Sequence, residues 1–247
     1  PRQRRHLLLA AQRGLTMAIQ AVVFDAYGTL FDVYSIGALA EQLYPGQGAA
    51  ISVLWRDKQI DYTRLITLSD PHRAEGSRHY QSFWDITRSA LLYTLERFKL
   101  DAKPAHVDAL MGQYAKLTPF AENVGVLQSL KERGITTAIL SNGSPEMLHT
   151  AVTSAGMADL IDHVISVDSI RLFKTSPEAY GLVQQTLPAE KQDILFVSSN
   201  GWDALGATWF GFTTLWVNRQ HLPFEAIGPH PSYTGHDLTR VLDVFNH

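Results

Sequence analysis

The chain has 247 residues, 45% of them hydrophobic, no cysteine and a formal net charge of −3. At roughly 150 residues per domain, that length fits one large domain or a core with a smaller companion. The charge gives no electrostatic case for a nucleic-acid or membrane partner, the lack of cysteine excludes disulfides, thiolate nucleophiles and cysteine-bound zinc and fits a reducing, cytoplasmic setting, and no apolar run reaches the ~18 residues that span a bilayer.

Residues 1–17 carry Arg2, Arg4, Arg5 and Arg13 and no acid. Their apolar run, Leu7 to Ala11, is shorter than the ~7–15-residue core of a signal peptide. The segment reads as a leader or extension outside the fold, expected to be disordered. Ala21-Val22-Val23-Phe24 is a continuous apolar run, the pattern of a strand buried on both faces of a parallel sheet. It ends on Asp25, with Gly28-Thr29 close behind.

The pattern then turns helical. Ser35 can cap a helix carrying Ile36, Leu39, Ala40 and Leu43, which Pro45-Gly46-Gln47-Gly48 breaks. Ile51 to Leu68 is helical again, and Ser69 to Ser77 holds loop signals. Phe83 to Phe98 has Trp84, Leu91, Leu92, Leu95 and Phe98 at helical spacing. Pro104 opens a helix to about Leu117.

From Glu122 the rhythm alternates. Helix 123–133 precedes strand Thr136–Leu140, which leads into Ser141-Asn142-Gly143. Helix 146–155 precedes strand His163–Val167. Lys174-Thr175-Ser176-Pro177 opens helix 178–186. Strand Ile194–Val197 leads into Ser198-Ser199-Asn200-Gly201-Trp202-Asp203 and helix 204–210. Strand Thr213–Val217, a Pro-rich loop and helix 238–245 complete the chain. Strands separated by helices of this length predict βαβ units and a parallel sheet. The expected fold class is α/β: a Rossmann-like parallel-sheet core, residues 18–31 and 118–247, with an inserted all-helical cap, residues 32–117.

Four polar clusters follow strands: Asp25, Ser141-Asn142, Lys174, and Ser198 to Asp203. A parallel sheet aims the carboxyl ends of its strands at one face, where ligands bind. Each cluster alone has a plainer reading. Asp25 and Asp203 could cap helices, Ser141-Asn142-Gly143 could be a turn, and Lys174 could be solvated. Convergence on one face makes four incidental clusters improbable. The ten histidines show no zinc-protease spacing, and no phosphate-binding Gly-Lys-Ser/Thr run is present.

Asp25-Ala26-Tyr27-Gly28-Thr29-Leu30, Ser141-Asn142-Gly143, Lys174-x-x-Pro177 and Ser198–Asp203 resemble the four motifs of the haloacid dehalogenase superfamily. The detailed resemblance is to its L-2-haloacid dehalogenases, over about residues 20–245, with the helical insertion where that family has its cap. Phosphatase members carry Asp-x-Asp at the first motif and hold magnesium with acids at the fourth. Here Tyr27 replaces the second Asp, and Ser198-Ser199-Asn200 supplies no acid before Asp203. Magnesium wants several hard oxygen ligands, so no metal and no cofactor are expected.

The resemblance implies hydrolysis of a short L-2-haloacid to a D-2-hydroxyacid and halide, with a 2-haloacid substrate and a halide ion as the small-molecule partners. Asp25 is the implied nucleophile, forming an ester. Lys174 is the implied counter-charge: unit charges ~4 Å apart attract by about 4 kcal/mol at an effective dielectric of ~20. Asp203 is expected to act on the hydrolytic water, with Ser198 and Asn200 holding Asp203, Lys174 or that water. Thr29 is expected to bond Asp25. Ser141 and amides near Ala26-Tyr27 are expected on the substrate carboxylate. Arg56 and Asn142 are the implied halide cradle. Tyr27, Trp202 and Tyr180 could line an apolar wall around the substrate, Tyr180 alternatively being core or a hydrogen-bond partner to Lys174. Asp57 is expected to point outward or to pair with Lys58 or Arg64, and the long stretch 69–80 to reshape the pocket. A homodimer is expected from a leftover apolar face on helix 83–98. The competing readings are a phosphatase of the same superfamily and a non-catalytic scaffold whose cap binds a partner protein.

Overall fold

The computed structural model describes residues 18–70 and 73–246; the leader reading of residues 1–17 lies outside them. At its centre is Ala21–Phe24 (β1), buried along its whole length. It is flanked by Thr136–Ser141 (β2) on one side and Ile194–Ser198 (β4) on the other. His163–Ser166 (β3) lies beyond β2, and Thr213–Val217 (β5) and Tyr233–Gly235 (β6) lie beyond β4. The order is β3-β2-β1-β4-β5-β6, every pair parallel. Phe24 is in register with Ile139 and Val197, so Asp25 emerges level with the ends of β2 and β4. The chain reverses its winding at β1/β4, the switch point where doubly wound sheets bind ligands.

Between β1 and β2 run Gly37–Leu43 (α1), Gly48–Ser69 (α2), Phe83–Arg97 (α3), Pro104–Ala115 (α4) and Asn123–Glu132 (α5). Helix α3 is capped by Ser82, whose side chain accepts from the Asp85 amide. It buries Phe83, Ile86, Thr87, Ala90, Leu91, Thr94 and Leu95, a stripe at three- and four-residue spacing. The helices after β2 are Pro145–Ser154 (α6), Pro177–Thr186 (α7), Gly201–Phe210 (α8) and Arg240–Val244 (α9). Proline opens α4, α6 and α7, where its missing N–H costs nothing.

Four local expectations shift. Ser35 does not cap α1, which starts at Gly37 with Ile36 at the cap position; the Ser35 hydroxyl donates instead to the Asp32 carbonyl. Helix α8 starts at Gly201 rather than Ala204, which puts Asp203 inside its first turn. Helix α9 is shorter than expected. The Pro-rich loop contains β6, whose three residues are too few to show a strand period.

The stretch from the end of α2 to the start of α3 docks on the loop that leads to Lys174. Thr67 Oγ1 accepts from the Phe173 amide at 3.1 Å, the Ser77 amide donates to the Arg171 carbonyl at 3.0 Å, and the Tyr80 hydroxyl donates to Asp168 at 2.6 Å. The Tyr80 and Phe173 rings stack at 5.1 Å. Among the described residues no helix is long and apolar enough to cross a membrane.

Candidate active site

Residues after β1 form a tight turn. Gly28 takes φ +93°, a left-handed conformation that a side chain would strain, and its amide donates to the Phe31 carbonyl. The turn returns Thr29 beneath Asp25, so that Thr29 Oγ1 donates to Asp25 Oδ2 at 2.9 Å. The same oxygen accepts from Asn200 Nδ2 at 2.8 Å and from Ser198 Oγ at 3.4 Å, both delivered by β4 at the switch point. Asp25 Oδ1 faces the Lys174 ammonium at 3.0 Å. Thr29 therefore sits as expected. Ser198 and Asn200 hold Asp25 rather than Asp203 or Lys174.

Lys174 Nζ lies between two carboxylates, 3.0 Å from Asp25 and 2.9 Å from Asp203 Oδ2. Burial alone would lower the lysine; Asp203 and Asp25 outweigh it and raise it, so it stays charged. Burial pushes the Asp203 carboxyl up, against the pull of Lys174. The other Asp203 oxygen accepts from the Tyr180 hydroxyl at 2.8 Å. Burial first, and then Asp203, push that phenol well up, so it remains a donor. The Tyr180 ring packs on Phe196, Phe210 and Phe212 in the core beneath the sheet. Tyr180 is thus neither a substrate wall nor a partner of Lys174; it holds Asp203. Gly206 makes this possible, since a Cβ there would lie 2.5 Å from the Tyr180 hydroxyl oxygen.

Above the sheet, α2 supplies Arg56. Its Nη2 donates to the Tyr27 carbonyl and to Asn200 Oδ1, each at 3.1 Å, and its Nη1 to Gln59 Oε1 at 2.8 Å. All three acceptors are neutral. Arg56 is 8% exposed, and no carboxylate pairs with it among the described residues. A buried charge with neutral partners alone is unbalanced, and Asn200 links it directly to Asp25.

Asn142 is placed differently from the cradle expectation. Its Oδ1 accepts from the Lys174 backbone amide at 2.9 Å, and the side-chain amide bonded to Arg56 belongs to Asn200. The Ser141 hydroxyl accepts from the Gly143 amide at 3.0 Å and is buried at the end of β2. Ala26 is fully buried in the turn. The Tyr27 ring lies among Phe31, Phe83 and Tyr114, and burial raises its phenol well above its usual range. Trp202 carries the Arg64 guanidinium 5.5 Å over its ring. A cleft of about 710 Å³ opens onto Arg56 and Asn200 and is lined also by Asp57, Ile60, Arg64 and Trp202. Asp57 is exposed at this mouth, while Lys58 pairs with Asp61 instead. Residues that the sequence reading missed include Gln59, whose only signal is its three-residue spacing from Arg56. Another is Arg219, whose guanidinium donates to the Thr29 carbonyl at 3.0 Å and pairs with Glu122.

The donor set does not suit magnesium. The lysine ammonium fills the space between the two carboxylates, and no group of three histidines or acids stands ready for a metal among the described residues.

The site is thus a doubly wound parallel sheet with a lysine-paired aspartate at its switch point. The chain belongs to the haloacid dehalogenase-like hydrolases, whose family model matches residues 19–211. It is 40% identical over 227 residues, 92% of this chain and 94% of the other, to the (S)-2-haloacid dehalogenase of Pseudomonas sp. (strain YL). The crystal structure of the L-2-haloacid dehalogenase RSc1362 superposes with a TM-score of 0.89 at 53% identity, over 93% of this chain and all of that one. The L-2-haloacid dehalogenase of Xanthobacter autotrophicus with chloropropionic acid covalently bound has a TM-score of 0.83 at 36% identity, over 92% of this chain and 98% of that one.

Proposed function

We propose that this chain hydrolyses the carbon–halogen bond of short L-2-haloacids, releasing halide and a D-2-hydroxyacid through an ester on Asp25. The observation that carries this reading is the Lys174 ammonium shared between Asp25 and Asp203. It sets one cation against both the carboxylate that attacks carbon and the carboxylate that acts on water. The covalent chloropropionic acid adduct of the Xanthobacter relative supports the ester.

In the first step an Asp25 oxygen attacks carbon 2 opposite the halogen. The carbon–oxygen bond forms as the carbon–halogen bond breaks, halide leaves with the bonding pair, and carbon 2 inverts. Arg56, buried with no carboxylate partner among the described residues, stabilises the charge that grows on the halogen. Ser141 and the amides around Ala26-Tyr27 hold the substrate carboxylate, with Asn142 completing the pocket on the Lys174 side. Trp202 and Ile60 border the substrate chain from the cleft. In the second step water attacks the ester carbonyl while Asp203, aligned by Tyr180 and Lys174, takes its proton. Acyl–oxygen cleavage expels the product oxygen as an alkoxide, which takes the proton back from Asp203 to give the hydroxyacid; carbon 2 is untouched and the water oxygen stays on Asp25, whose carboxyl releases the remaining proton to solvent. Thr29, Ser198 and Asn200 orient Asp25 in both steps.

The division into a core, residues 18–31 and 118–247, and a cap, residues 32–117, belongs to this reading: the core carries the nucleophile and the cap lends Arg56. A cytoplasmic enzyme fits the cysteine-free sequence. A homodimer is supported by exposed Leu92 and Tyr93 on α3 beside exposed Leu65 and Leu68 on α2, and light scattering on the eluting protein tests it. Halide release from L-2-chloropropionate and fluoroacetate, with and without EDTA, tests the activity. We expect chloride from the first substrate, undiminished by EDTA. Cleavage of a phosphate ester with no halide from either substrate would overturn the reading.

A further inference from the structure

Gln59 lies one turn beyond Arg56 on α2 and is 1% exposed. Its amide is fixed at every corner. Nε2 donates to Thr87 Oγ1 at 2.7 Å and to the Tyr114 hydroxyl at 2.9 Å, and Oε1 accepts from Arg56 Nη1 at 2.8 Å and from the Tyr114 hydroxyl at 3.2 Å. The Thr87 hydroxyl has already committed its own proton to the Phe83 carbonyl at 2.6 Å, so it can only accept from Gln59. Tyr114 is anchored in turn by stacking on Tyr27, with ring centroids 5.7 Å apart. A flipped amide would turn its N–H groups on the guanidinium and its carbonyl on the Thr87 hydroxyl, which has no proton to give. The carbonyl oxygen therefore faces Arg56 by necessity.

The chemistry of that acceptor matters as much as its position. The usual partner of a buried arginine is a carboxylate, which satisfies its hydrogen bonds and cancels its charge. Gln59 does the first without the second, and the other two acceptors, Asn200 and the Tyr27 carbonyl, are neutral as well.

We propose that Gln59 is a positioning residue that aims Arg56 at the departing halide while leaving its positive charge uncancelled. This rests on the reading of Arg56 given above. Gln59→Glu keeps an acceptor at the same place but neutralises the guanidinium; Gln59→Leu removes the tether and adds no charge. The experiment is chloride NMR line broadening by the substrate-free protein, beside kcat and KM for L-2-chloropropionate and L-2-bromopropionate.

We expect both folded variants to bind chloride roughly ten- to a hundredfold more weakly, the scale of one lost hydrogen bond to a charged group. We also expect kcat to fall further for the chloro than for the bromo substrate, because the poorer leaving group depends more on the cation. A structural role alone would lower both rates together and leave chloride binding intact. Unchanged chloride binding with an unchanged halogen ratio in Gln59→Leu overturns the aiming; the same result in Gln59→Glu overturns the need for neutrality. Should Gln59→Leu not fold, Gln59→Asn, which ends one methylene short, takes its place with the same two outcomes. A wild-type protein that binds chloride but releases none from substrate would sink the proposed function, and the line broadening would still decide the role of Gln59.

Discussion

The Tyr180 hydroxyl donates to Asp203 from below the sheet at 2.8 Å, on the carboxylate oxygen that Lys174 does not use. Each oxygen of Asp203 therefore has one donor, and the residue cannot rotate without losing one. Tyr180 stabilises the ionised form, so removing its hydroxyl raises the Asp203 pKa further from where burial has already put it. The base must be ionised to accept the proton of water. In Tyr180→Phe the acid limb of the kcat profile should accordingly move to higher pH. Ester hydrolysis should slow by about tenfold or more, part of the ~10²–10⁴ that general base catalysis supplies. Intact-protein mass spectrometry during turnover should show the Asp25 ester accumulating. Gly206→Ala should act in the same direction, because its new Cβ would lie 2.5 Å from the hydroxyl oxygen and push it off Asp203.

Lys174→Met should abolish turnover and also weaken the fold. Asp25 and Asp203 would be left buried with no cation between them, a loss of about 3–5 kcal/mol for a broken buried pair. The Asp203 carboxyl, already raised by burial, would lose the pull of Lys174 that lowers it, so its pKa would lie higher still above the unfolded value and the folded state would bind more protons. Stability must fall as pH rises through that window. Thermal melts of the variant should therefore improve as pH is lowered from neutral toward the carboxylate range; a Tm gap to wild type that does not narrow on acidification would contradict the buried triad.

Most of the architecture was legible because its signals are local. The apolar run Ala21–Phe24 and the repeated strand-helix rhythm after Glu122 predict the parallel sheet, and the sheet order alone brings Asp25, Ser141 and Ser198 to one edge. What was not legible was which polar group bonds which. Ser198 and Asn200 lie in the same motif as Asp203, yet they bond Asp25, because β4 sits next to β1 while α8 carries Asp203 one turn deeper. Tyr180 looks like any residue on an amphipathic helix until its depth beneath Asp203 is known. Gln59 carries no motif at all, and its role follows from Thr87 and Tyr114, distant in the chain and brought to it by helix packing.

In water labelled with heavy oxygen, a single turnover should place the label in the Asp25 carboxylate and leave the hydroxyacid unlabelled. Label found directly in the product would mean that water, not Asp25, attacks carbon 2. Asp25→Asn should abolish turnover and keep a cooperative thermal transition.

Asp57 stands exposed at the mouth of the cleft that leads to Arg56. Its charge repels an anionic substrate through solvent, an effect screened over ~10 Å at 0.1 M salt. Asp57→Asn should lower KM for L-2-chloropropionate at low ionic strength, with the gain vanishing as salt is added and kcat unchanged.

The docking of Thr67, Ser77 and Tyr80 on the Asp168–Phe173 loop should also be measurable. Tyr80→Phe should cost about 1 kcal/mol, the ordinary net worth of one hydrogen bond, and should speed amide hydrogen exchange in both partners. The stitching has a kinetic consequence. Enzymes that shut a lid over each substrate must push a large body through solvent twice per cycle, and thickening the medium with sucrose then slows them. Here the helical layer is stitched beside the lysine, and the cleft to Arg56 stands open. Saturated turnover should therefore be indifferent to solvent viscosity.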